Sequence, residues 1–84
     1  MATREQIEEQ LEEGTVLLDG YDEAYVGMSH EGQAVYDYEK MIEVLRERDG
    51  MTDEEAIEWI EYNTVRSLCY LPRPTPIILY PLEE

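Results

Sequence analysis

Apolar and polar positions alternate along this chain in blocks of different period, and each block predicts an element. Ile7 and Leu11 stand one helical turn apart in an otherwise charged run, a narrow stripe that predicts a helix over residues 3–13. Thr3 followed by Gln6 has the spacing of a capping box, and Gly14 is a stop. A helix this short must dock on something or fray, so it is expected at the periphery. The pattern then shortens. TVLLD over residues 15–19, AYVGM over 24–28 and QAVYD over 33–37 are β-rich runs separated by turn residues. They predict a three-stranded antiparallel meander, with Gly32 free to take a positive φ in the SHEGQ turn.

From residue 38 the period returns to that of a helix. Tyr38, Met41, Ile42, Val44 and Leu45 fall on one arc, while Lys40, Glu43 and Glu47 fall outside it. Asp37 is placed to cap this helix and Gly50 to end it near residue 48. Thr52 with Glu55 repeats the capping-box spacing, Met51 and Ala56 suit a hydrophobic staple, and a last helix is expected over residues 53–68. Its inner face is Ala56, Ile57, Ile60, Thr64 and Leu68, bordered by Trp59. Asn63 and Ser67 also fall on this arc, which is unusual for a buried stripe, and Asn63 is expected to bond a loop backbone. Pro72, Pro74 and Pro76 forbid a helix and favour extended chain. IILY over residues 77–80, flanked by Pro76 and Pro81, reads as an edge strand. The expected fold is therefore a small α+β domain over residues 1–84. Its element order is α-β-β-β-α-α-β, with the helices on one face of an antiparallel sheet.

Composition narrows the function classes. The 84 residues suit one core. With 21 acids against 6 bases the net charge is −15, which repels phosphates and anionic membrane surfaces and favours a basic partner. Neither direct nucleic-acid binding nor membrane binding is expected. Cys69 is the sole cysteine, so one chain forms no internal disulfide and no cysteine-based zinc site. Its expected state is a buried, inert thiol. With no signal-like or membrane-spanning run, the expectation is an intracellular protein.

Four motifs were weighed for chemistry. DGYDEAYVG, residues 19–27, gathers Asp19, Asp22 and Glu23, oxygen ligands that suit a hard cation. The spacing is not that of a calcium loop, and the plainer reading is a strand–turn–strand link in which Gly27 allows close packing or a bulge. His30 lies in a polar turn with no positioning partner. The hydroxyl residues show neither a nucleophile elbow nor a phosphate loop, so no catalytic residue, cofactor or metal ligand is assigned. The chain has seven tyrosines and no phenylalanine. Tyr21 and Tyr25 either present a binding surface or fill the core where Phe would sit, and both readings stand open.

The four stretches DGYDEAYVG, AVYDYEKMIEVL, DGMTDEEAIEWIEYN and TPIIL resemble a family of small, acidic, phage-encoded hypothetical proteins. That family shares D-G-[FY]-D-x-A-[IYF]-[IV]-G, Y-D-x-x-K, a G-M-[ST]-x-E-E-A helix start and a terminal T-P. The resemblance spans residues 15–79. It departs at 66–73, where relatives often carry G-A-[YW]-x-G and this chain reads RSLCYLPR. It implies a phage or mobile-element origin and no established activity. Glu54, Glu55, Glu58 and Glu61 on the last helix, with Glu8 and Glu12 on the first, resemble the carboxylate rows of DNA-mimicking anti-defence proteins, including anti-CRISPR proteins. The expectation is a non-enzymatic protein of the host cytoplasm that blocks a basic defence or nucleic-acid-processing protein, with Tyr21 and Tyr25 as anchors. Three alternatives stay open: a ligand or metal module at residues 19–23, a homodimer through a free strand edge, and an acidic surface that serves solvation or salt adaptation only.

Overall fold

The computed structural model describes residues 3–72 and 74–82. The ends of the expected 1–84 domain, and Arg73 in the proline-rich run, lie outside the described residues. Helix α1 (Arg4–Gln10) starts at a complete capping box. Thr3 Oγ1 accepts from the Gln6 amide, and Gln6 Oε1 accepts from the Thr3 amide. It is shorter than the span 3–13, because Leu11 is already extended. Strands β1 (Tyr25–Met28) and β2 (Ala34–Asp37) form the antiparallel pair, with a bulge between Tyr25 and Gly27. Gly27 carries a φ of 152° and Gly32 turns the hairpin at 87°.

Helix α2 (Tyr38–Asp49) is capped by Asp37, whose carboxylate accepts from the Lys40 amide, and ends on left-handed Gly50. Helix α3 (Asp53–Trp59) follows, with the second capping box at Thr52 and Glu55. Beyond Trp59 the helical path continues with different bonding: a π-helical segment (Ile60–Val65), then a 3-10 segment (Arg66–Tyr70). Strand β3 (Ile77–Leu79) closes the element order.

Two expectations need correction. Residues 15–19 form no strand. The Leu18 amide donates instead to the Tyr36 hydroxyl at 3.1 Å, and Leu18 is buried, so this segment crosses the core face of the sheet rather than extending its edge. Local β propensity yields here to burial. The sheet is mixed, not purely antiparallel. Its order is β1-β2-β3, and β3 runs parallel to β2 in the register Val35–Ile77, Tyr36–Ile78, Asp37–Leu79. Parallel neighbours need a crossover, and α2, α3 and the segments after them supply it. The proline-rich stretch then returns the chain to the start of β2, where Gln33 Nε2 donates to the Thr75 carbonyl at 2.8 Å.

One core joins Ile7 of α1, Met41, Val44 and Leu45 of α2, Ala56 of α3 and Ile60 to Tyr25, Ala34 and Tyr36 of the sheet, with Leu11, Leu18, Tyr21 and Ala24 around them. Tyr36, Ile7, Met41, Leu45 and Ile60 are the largest side chains fully out of water. Each aliphatic member contributes about 1.5–3 kcal/mol by burial. The arc assigned to α2 holds: Met41, Val44 and Leu45 are buried, and Tyr38 and Ile42 pack against them. The arc holds at Ala56 of α3 and at Ile60 and Thr64 of the π segment, but Ile57 is exposed.

Candidate functional site

The acidic turn is held from two sides. Arg4 of α1 reaches Asp22 Oδ1 at 3.1 Å and Asp19 Oδ1 at 3.3 Å. Arg48 of α2 donates to the Gly20 carbonyl at 2.7 Å. Gly20 sits at φ +87°, a backbone conformation that favours glycine, and a Cβ there would press on the Arg48 guanidinium at 3.1 Å. Two of the three acids that suggested a cation site thus face Arg4. Among the described residues no group of three or more His, Cys, Asp or Glu is placed to hold a metal ion.

Tyr21 and Tyr25 are core residues, which corrects their expected role as surface anchors. The Tyr25 ring meets the Tyr36 ring edge to face, with centroids 5.8 Å apart, and its hydroxyl donates to Gln10 Oε1. Burial raises the pKa of both Tyr25 and Tyr36. With no phenylalanine in the chain, tyrosine supplies the rings of the core; the Tyr36 hydroxyl is bonded in the interior and that of Tyr25 nearer the surface.

The acids assigned to partner binding are all exposed: Glu8 on α1, Glu54, Glu55 and Glu58 on α3, and Glu61 in the π segment, with Glu12 just past α1. Their electrostatic states differ. Glu8 stands 3.6 Å from Arg4. Glu55 is engaged in the capping box, and its hydrogen bond from the Thr52 backbone amide, then that from the side chain, holds its carboxyl below the usual value. Glu54, Glu58 and Glu61 make no ion pair among the described residues. The arginines are committed elsewhere, chiefly to aspartates: Arg4 to Asp19 and Asp22, Arg46 to Asp53 at 3.1 Å, Arg48 to Asp49 at 3.2 Å. Such exposed pairs add only ~0–1 kcal/mol each, and they leave Glu54, Glu58 and Glu61 without an ion pair among the described residues, while Arg66 lies over the Tyr62 ring. Glu61 also acts on Tyr38, whose pKa is raised by burial first and by the Glu61 charge second.

A shallow groove opens beside these acids, lined by Met51, Glu55, Glu58, Trp59, Tyr62 and Asn63. Trp59 is 49% and Tyr62 67% exposed. The change of helix type shapes this wall. Bonds from i to i+5 widen each turn, which rotates Asn63 off the core arc and keeps Thr64 on it. Asn63 is exposed, and its Nδ2 donates to the Trp59 carbonyl at 3.1 Å, where the α-helical ladder gives way. It was expected to reach a loop backbone, and instead it braces its own helix. Ser67 likewise returns to the Thr64 carbonyl. Cys69 is exposed rather than buried, because the 3-10 segment turns its outer side to solvent.

Trp59 and Tyr62 carry the exposed aromatic surface first sought in Tyr21 and Tyr25. The signal was present: Trp59 at the end of α3 and Tyr62 in the π segment interrupt the polar side of the helical path at a spacing of three, with Glu55 and Glu58 beside them. Among the described residues no helix is long and apolar enough to cross a membrane. No known protein family, curated protein or solved structure matches the chain.

Proposed function

We propose that this chain is a non-enzymatic, phage-type accessory protein. It binds a basic host protein in the cytoplasm, of the defence or nucleic-acid-processing kind, and inhibits it by occupying the surface that nucleic acid would use. The observation that supports this reading is the exposed row Glu54, Glu58 and Glu61, which lacks ion pairs among the described residues while Arg4, Arg46 and Arg48 bond aspartates. A row of carboxylates along a helix offers a basic groove the charge it normally finds in phosphates, and complementary fields speed encounter. Trp59 and Tyr62 add apolar contact at its edge. The test is competition. A basic protein retained from host lysate at low salt should lose its DNA or RNA when this chain is added, and should release this chain as salt rises. Simultaneous binding of chain and nucleic acid would contradict the reading.

A homodimer is favoured by one separate observation. On the sheet face away from the helices, Val26 and Leu79 are exposed and Val35 and Ile77 half-buried. The mass in solution across a dilution series decides it.

A further inference from the structure

The groove on α3 combines two features that together select an occupant. Its aromatic wall, Trp59 and Tyr62, is about half and two-thirds exposed and lines the groove. Its acids, Glu55 and Glu58, sit on the same lining, and Glu58 has no ion pair among the described residues. We propose that this groove binds an arginine side chain on a basic partner segment, the guanidinium stacked on Trp59 and neutralised by Glu58, in preference to lysine. This rests on the reading above that the partner is basic, and it names the chemistry that reads it.

Other occupants fit worse. A nucleic-acid base would stack on Trp59 but bring its phosphate against Glu58, in a chain of net charge −15. An apolar segment would cover Glu58 and leave its charge without a partner, which is costly. Lysine satisfies the carboxylate only. Its ammonium is compact and strongly hydrated, whereas the planar guanidinium stacks on an aromatic face and forks onto a carboxylate. The chain makes one such contact internally: the Arg66 guanidinium carbon lies 5.6 Å from the Tyr62 ring centroid. The wall is also braced, since Asn63 holds the Trp59 carbonyl.

Trp59 is the only tryptophan, so its fluorescence reports the groove directly. The full chain would be titrated at low salt with hexa-arginine and with hexa-lysine. The expected result is a saturable change in Trp59 emission with hexa-arginine and an affinity about two- to fivefold above that for hexa-lysine. By calorimetry, Trp59→Leu should erase that preference, Trp59→Phe should keep most of it, and Glu58→Gln should weaken hexa-arginine binding. Glu9→Gln on α1 should change nothing. Equal affinity for both peptides, or arginine binding that leaves Trp59 emission unmoved, overturns the inference while the acidic-surface reading stands. If neither peptide binds to a chain that circular dichroism shows folded, both fall together.

Discussion

Tyr36 joins the central strand to the segment that precedes the sheet. It lies on the central strand and is fully buried; its ring meets Tyr25, and its hydroxyl accepts the Leu18 amide that would otherwise seek a strand partner. Removing that hydroxyl leaves a buried N–H unpaired, so Tyr36→Phe should cost about 1–3 kcal/mol in urea unfolding at neutral pH. Desolvation raises the pKa of Tyr36 above its ordinary 10.0, and Tyr25 shifts the same way. The unfolded chain then ionises first as pH rises. The stability held by these neutral hydroxyls is full below about pH 10 and is lost as pH climbs through the higher native value. Urea midpoints measured from pH 7 to pH 11 should fall more gently in Tyr36→Phe than in the parent. An equal slope would remove Tyr36 from this role.

At the scale of elements, local signals were most legible where the chemistry is local. Both capping boxes, the Asp37 cap, the Gly50 stop, the Gly32 turn and the bulge near Gly27 could be read from residue type and spacing, because each is satisfied within a few residues. What could not be read depends on distant partners. Residues 15–19 have strand composition, but Tyr36 takes the Leu18 amide. Ile77–Leu79 was legible as a strand, but its parallel direction follows from the path of the proline-rich return and the Gln33–Thr75 bond. The same limit governed the site. The glutamates of α3 were legible as an outer face, whereas the choice between surface and core for Tyr21 and Tyr25 was not, because burial is decided by distant partners in the core. The second capping box also offers a test. Thr52→Ala should cost about 1 kcal/mol by chemical denaturation. Glu55 has a depressed carboxyl pKa, so its contribution is present above its ordinary 4.5 and is lost as pH falls below it. Glu55→Gln should therefore flatten the acid limb of the stability profile, and an unchanged limb would contradict the cap's electrostatic share.

At the scale of the whole molecule, charge is distributed unevenly in kind as well as amount. Three arginines are spent on aspartates that fix the acidic turn and the ends of α2 and α3, and the outer glutamates of α3 are left to solvent beside an aromatic groove. A purely solvating surface has no need of Trp59 and Tyr62 in its midst. The direct measurement is binding to the retained basic host protein by two charge-reversed chains. One carries Glu54→Lys, Glu58→Lys and Glu61→Lys; the other carries Glu31→Lys, Glu43→Lys and Glu47→Lys, with the same net charge and other exposed positions. Both are first shown to be folded by circular dichroism. The first set should abolish binding, and the second should weaken it only modestly, through the general field. Equal loss in both would mean that net charge alone acts and that the α3 face is no site.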